Sequence, residues 1–272
     1  MMARLPRIPD LLTTANLACG MGSILLASQG QLTWACWLVF AAAVFDVFDG
    51  LAARAMGGGT PLGAQLDSLA DMVSFGVAPA FIAVVHPGKA LQQVISLHRD
   101  YLPSSWGDWK GSGDLFGDPF WISALTAVII AVASCWRLAK FNIDTRQASG
   151  FLGLATPANA LFWVSLALIG SGVLVHPGPF SGSINKVALL LSYDPLAKLI
   201  SALGLATLML SELPLPGLKF KHFRWRGNQV IYVLGGIGAV LVVGYGILAV
   251  PLILVVYVLS PLWGRLFPKA GS

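Results

Sequence analysis

The chain has 272 residues, 56% of them hydrophobic and only 11% charged, with a mean hydropathy of +0.77. That composition excludes a soluble domain, whose surface needs roughly a quarter of all residues charged. The net charge of +5 sits in short segments between apolar runs, so it reports membrane topology rather than nucleic-acid binding.

A bilayer span takes about 20 apolar residues, and the chain carries about eight such runs. The expected fold class is therefore an all-α integral membrane protein. Residues 1–10 hold Arg4, Arg7 and two prolines and read as an interfacial segment, with no cleavable signal peptide evident. Span 1 is expected over residues 11–28. Near its start Thr13 and Asn16 form an i, i+3 polar pair, open to reading as an interfacial cap or as part of a site. Spans 2 and 3 are expected over residues 32–51 and 64–85. The loop 86–119 follows, with Tyr101, Trp106 and Trp109 suited to an interfacial belt and no chemistry assigned.

Span 4, residues 120–138, ends in Arg137, Lys140 and Asn142. Arg137 and Lys140 are again i and i+3, so they can converge on one anion, or simply snorkel to the headgroups as an anchor. Spans 5 and 6 are expected over residues 156–175 and 195–210. The basic run from Lys219 to Arg226 reads as a loop near anionic lipid. Spans 7 and 8 fill residues 229–263 as a hairpin turning at Gly244-Tyr245-Gly246. Cys19, Cys36 and Cys135 lie in apolar runs without ligand spacing and are expected to be packing residues.

One stretch stands apart from this pattern. Asp46, Asp49, Gly50, Ala53 and Arg54 fall at offsets 0, 3, 4, 7 and 8, one stripe of a helix; Gly63, Asp67 and Asp71 fall at 0, 4 and 8, again one stripe. Two helices joined by the turn Gly57-Gly58-Gly59-Thr60-Pro61 would aim four carboxylates at one another. An acid at the centre of a membrane helix costs about 2.5–3.5 kcal/mol, yet four of the chain's twelve Asp and Glu are concentrated here. Carboxylates so placed repel or share protons unless a cation lies between them. Oxygen donors suit Mg²⁺, Mn²⁺ or Ca²⁺ rather than zinc. Gly50 and Ala53 leave room on the same face, and Arg54 offers a fork for a phosphate.

The pattern Asp-x2-Asp-Gly-x2-Ala-Arg-x8-Gly-x3-Asp-x3-Asp resembles the signature of the CDP-alcohol phosphotransferase family at every fixed position. The run from Leu66 to Ala80 is similar to that family's phosphatidylserine synthase branch. Further similarities are Arg137-Leu-Ala-Lys140-Phe-Asn142, the segment 151–158 (with Ala155 where the branch has proline), and Met209-Leu-Ser211 before Pro214 and Pro216. The resemblance covers about residues 9–219. It implies a six-helix catalytic core over residues 11–218, then a basic loop 219–228 and a C-terminal two-helix hairpin and tail over 229–272.

It further implies a divalent-metal site of two ions, Mg²⁺ or Mn²⁺, held by Asp46, Asp49, Asp67 and Asp71, with Asp71 also the general base. Thr13, Asn16, Gly50, Ala53, Arg54 and Gly63 would meet the CDP moiety and its phosphates. Thr13 and Asn16 carry over from a family entry motif in which Asp10 replaces an asparagine. Arg137, Lys140 and Asn142 would hold the acceptor's carboxylate or a lipid phosphate. The implied substrates are CDP-diacylglycerol and L-serine; the implied state is a homodimer among membrane lipids, with no nucleic-acid partner.

With the N-terminus inside, cytoplasmic segments would hold twelve Lys and Arg against five outside, which places the acidic site at the inner face of, by expectation, a bacterial cytoplasmic membrane. The nearest alternatives keep the chemistry and change the acceptor to glycerol 3-phosphate or inositol phosphate, or the lipid to an archaeal ether analogue. A divalent-cation transporter is the reading from another class. Against it, the four acids gather at one end of their helices with no polar trail through the other half of the bilayer.

Overall fold

A computed structural model describes residues 7–85, 119–144, 151–173, 181–216 and 229–263. Loop 86–119 apart from its final residue, the basic run Lys219 to Arg226, and Arg4 lie outside the described residues. Among the described residues, helix α1 (Ile8–Ser28) and α2 (Leu32–Ala55) form an antiparallel pair turned at Gly30, whose φ is +79°. Helix α1 starts earlier than expected because Asp10 Oδ2 accepts the Arg7 N–H at 2.9 Å, capping the first turn. Buried Ser23 ties the pair by donating to the Ala35 carbonyl at 2.8 Å.

Span 3 is not one uniform helix. After a turn with Gly57 at φ +85° and Gly58 at φ +115°, α3 (Pro61–Asp71) opens with Thr60 as N-cap, its hydroxyl accepting the Gly63 N–H at 2.9 Å. A π-helical segment (Met72–Val77) follows directly on Asp71 and continues into α4 (Ala78–Val85).

Helix α5 (Pro119–Ile143) packs along α8 (Pro195–Leu210) and against the π segment and α4. Helix α6 (Thr156–Gly170) is short and buried nearly all round, touching α2, α4 and α7 (Ser181–Tyr193). Its apolar surface in every direction is what a central helix requires. Span 6 gains a partner the sequence reading missed: α7 meets α8 at a 91° elbow. Asp194 caps the second arm by accepting from Leu196 N and Ala197 N, and Pro195 begins it.

A two-residue ladder, β1 (Phe151–Leu152) with β2 (Pro214–Leu215), closes one end of the bundle. Gly153 completes it at φ +73°; any Cβ there would stand 2.7 Å from the Met209 and Ser211 carbonyl oxygens. The C-terminal hairpin is α9 (Gln229–Tyr245) and α10 (Ala249–Val258), turned at Gly246 with φ +60°, followed by the single turn α11 (Ser260–Trp263).

Among the described residues, four helical stretches are long and apolar enough to cross a bilayer: Ile8–Ser28, Leu32–Ala55, Pro61–Val85 and Trp121–Ile143. The elbowed pair makes a fifth, and three further apolar helices are shorter. The chain is thus an all-α integral membrane protein. The cysteines divide: Cys36 is buried in the core, Cys19 half-buried, and Cys135 faces outward rather than packing inside.

Candidate functional site

The turn between α2 and α3 folds the two acidic stripes together. One carboxylate oxygen from each of Asp46, Asp49 and Asp67 lies within 4.8 Å of the others. Asp49 is buried, and Asp67 Oδ1 is buried without a hydrogen-bond partner. Like charges so close, with one oxygen buried and unpaired, must either share protons or be neutralised by a cation. All-oxygen donors fit a hard divalent ion, so the residues present suit the metal that the sequence pattern implies.

Asp71, also buried, lies close enough to feel the charge of Asp46, Asp67 and Asp49, though it is not one of the three whose oxygens all lie within 4.8 Å of one another. Asn16 Nδ2 donates to Asp71 Oδ1 at 3.0 Å, and Thr13 Oγ1 donates to Asp49 Oδ2 at 2.7 Å. The polar pair of α1, expected beside the nucleotide, thus reaches two motif carboxylates of the facing helices. Asn16 is wholly buried, with its Oδ1 unpaired.

Gly50 keeps its face of α2 open: a Cβ there would meet only Arg54 Nη1, at 3.9 Å. Ala53 is half-buried beside it and Arg54 is exposed on the last turn of α2. Gly63 borders the same end. A Cβ on it would come within 3.1 Å of Asp10 Oδ1 and of Thr60 Oγ1, so Asp10 is a neighbour of the motif as well as a cap.

The basic end of α5 approaches from the other side. Arg137 is only 7% exposed, stacks on Phe141 with 5.2 Å from Cζ to the ring centroid, and leaves Nη2 unpaired. It lies within Coulombic reach of Asp71 and of Tyr257 on α10. Lys140 is exposed and donates to the Leu210 carbonyl at 3.2 Å. Arg137 and Lys140 line one small cleft with Asp144, Leu152, Ser211 and Glu212. Asn142 does not line it; its amide meets Ser68 Oγ at 2.9 Å and so ties α5 to the helix carrying Asp67 and Asp71.

Sequence reasoning missed Ser68, Ser74 and Tyr257. Ser74 donates to the Asn16 carbonyl at 2.9 Å, and Tyr257 to the Pro216 carbonyl at 3.2 Å. For Ser68 and Ser74 a signal was available, since each sits one residue beyond or three beyond a motif aspartate. For Tyr257 there was none, because the hairpin shows only hydropathy.

The family model described as CDP-alcohol phosphatidyltransferase matches residues 7–210. A CDP-diacylglycerol–serine O-phosphatidyltransferase of Helicobacter pylori is 31% identical over 228 residues, covering 83% of this chain and 78% of that protein. The protein of the same name from Bacillus subtilis is 29% identical over 217 residues, 80% of this chain and 91% of the relative. An archaetidylserine synthase of Methanothermobacter thermautotrophicus is 32% identical over 165 residues, 60% and 58% of the two chains.

Proposed function

From the premise that this chain belongs to the CDP-alcohol phosphatidyltransferase family, we propose that it moves the phosphatidyl group of CDP-diacylglycerol onto the hydroxyl of L-serine, giving phosphatidylserine and CMP. The observation that carries this reading is the meeting of Asp46, Asp49 and Asp67 beside an Asn16-held Asp71. The acceptor follows from the relatives, which are named for serine on both diacylglycerol and archaeal lipids.

The family depends on divalent metal, and here Asp46, Asp49 and Asp67 would hold it, with Asp71 at the margin. Two ions, Mg²⁺ or Mn²⁺, would neutralise the diphosphate and the charge that develops on the leaving CMP. Thr13 orients Asp49, and Asn16 orients Asp71. Gly50 and Ala53 leave space for the nucleotide along α2, while Arg54 and the chain around Gly63 border its phosphates. In the reaction the serine hydroxyl oxygen bonds to the phosphatidyl phosphorus, the bond from that phosphorus to the CMP oxygen breaks, and the hydroxyl proton passes to Asp71. A carboxylate engaged with metal is a poor base, so a place at the edge of the three-oxygen group suits Asp71 to that role.

Arg137, with its unpaired Nη2, would receive the serine carboxylate, with Lys140 beside it in the cleft; Asn142 supports by holding α5 to α3. We place the site at the inner face of a bacterial cytoplasmic membrane with the N-terminus inside, and the enzyme as a homodimer. Lys198, one of the five counted outside, is buried, which leaves twelve against four and keeps the bias behind that orientation. The division into core 11–218, loop 219–228 and hairpin 229–272 completes the proposal.

The test is an assay of purified protein with CDP-diacylglycerol and competing labelled serine, glycerol 3-phosphate and inositol phosphate, identifying the lipid product. Phosphatidylserine as the main product supports the reading, and a phosphorylated-alcohol product replaces serine as the acceptor.

A further inference from the structure

Ser74, within the run Leu66 to Ala80, is not one of the fixed positions of the acidic motif, yet it is fully buried and gives its hydroxyl to the main-chain carbonyl of Asn16 at 2.9 Å. The same Asn16 gives its side-chain amide to Asp71 Oδ1 at 3.0 Å. The two contacts grip one residue of α1 from both ends, its backbone and its side chain. Gly20, one turn further along α1, is what allows the approach: a Cβ on it would stand 2.8 Å from Ser74 Cα. The side of α1 that faces the π segment therefore has backbone against backbone at this point.

The π-helical turn supplies the other half of the device. Such turns are rare and concentrate where a helix has to present a side chain off its regular register. Here the turn begins at Met72, immediately after Asp71, and Ser74 lies within it. Gly76, two residues on, seats the segment against α5: a Cβ there would come within 3.2 Å of Ser134 Cβ.

From these contacts we infer that Ser74 is a positioning residue for the transfer reaction, locking Asn16 so that the Asp71 carboxylate is kept turned to α1 rather than drawn fully into the group of Asp46, Asp49 and Asp67. The inference rests on the functional reading above, since it concerns how the base is kept free. Without the lock, Asn16 loses one of its two ties across the α1 interface, and Asp71 is free to swing toward the metal-binding carboxylates. A displacement of about 1 Å at a reacting group is enough to cost about 100-fold in rate.

The experiment compares Ser74→Ala, Asn16→Ala and the double variant with the unmodified full-length protein. Three quantities are read: kcat, the KM values for lipid and alcohol, and Mn²⁺ affinity by electron paramagnetic resonance. Ser74→Ala is expected to lower kcat about 10- to 100-fold while both KM values and Mn²⁺ affinity stay within about threefold of the unmodified enzyme. The double variant is expected to be no slower than Asn16→Ala alone, because the two residues act as one unit. Gly20→Ala, which forces the same two segments apart, should reproduce the kcat loss and provides the test should Ser74→Ala fold poorly.

An unchanged kcat in Ser74→Ala would overturn the inference. So would a parallel fall in Mn²⁺ affinity, which means Ser74 supports the fold or the metal cluster rather than the base, and so would additive losses in the double variant. Rates are read as CMP released to whichever alcohol the unmodified enzyme prefers. A wrong acceptor therefore leaves this test standing, whereas absence of CMP release with every alcohol sinks the functional reading and the inference together.

Discussion

The two ends of the bundle both bury ionisable side chains, and they treat them in opposite ways. Near the elbow between α7 and α8, Lys198 is 2% exposed and gives its ammonium to the Ala83 carbonyl in the last turn of α4 at 2.9 Å. Toward the other end of span 3, about 18 Å away by the rise from Asp71 to Ala83, carboxylates from two helices crowd together. There Asp67 Oδ1, Asn16 Oδ1 and Arg137 Nη2 are buried without partners. The first arrangement closes on itself, a cation against the negative end of a helix. The second leaves donors and acceptors aimed at something the chain does not supply. A buried charge whose partner is built into the fold is structural; one whose partner is missing marks where a ligand goes.

Experiments that remove the missing partner should break this contrast most strongly. Chelation of divalent ions should abolish transfer and added Mg²⁺ or Mn²⁺ should restore it, measured as CMP release; metal-independent turnover would leave the crowded carboxylates unexplained. Next in size, Asp71→Asn keeps the shape and removes the proton acceptor, so kcat should fall about 10³-fold, within the range for a general base, with the protein still folded and inserted. Substantial remaining turnover would take the base role away from Asp71.

Arg137→Ala should raise the KM for serine about 10- to 100-fold, the value of a charge-assisted hydrogen bond of about 1.5–3 kcal/mol, and change the lipid KM less. Lys140→Ala should do the same more weakly, because Lys140 is exposed and already bonded to Leu210. A larger effect on the lipid than on serine would reassign both residues to the lipid phosphate. At the bottom of the scale, Lys198→Met at the closed end should leave kcat within about twofold, since exchanging a buried ion for an apolar side chain of similar length is often near neutral. A loss of activity as large as that of Arg137→Ala would show that the two ends are coupled and that the contrast is false.

The site was more legible than the fold around it. Spacing alone put Asp46, Asp49, Gly50 and Arg54 on one stripe and Gly63, Asp67 and Asp71 on another, and the glycine-rich turn between them left little choice but to face the stripes together. The burial of Lys198 was not legible, because a single lysine near a helix start looks alike whether it snorkels or is buried. The π-helix within span 3 was hidden too, since six residues of it within an apolar run leave hydropathy unchanged.

What the sequence determined by itself was which residues are apolar enough to enter a bilayer and which side chains share an angle about one helix axis. Both are properties of a single segment, readable from composition and a period of 3.6 residues. What only the tertiary structure decided was which segment stands opposite: that Thr13 reaches Asp49 and Asn16 reaches Asp71, 36 and 55 residues away, and that Ser74 grips Asn16 from the far side. Those outcomes depend on how closely two axes approach, which at Gly20 is set by the absence of one methyl group and has no signature in any single helix.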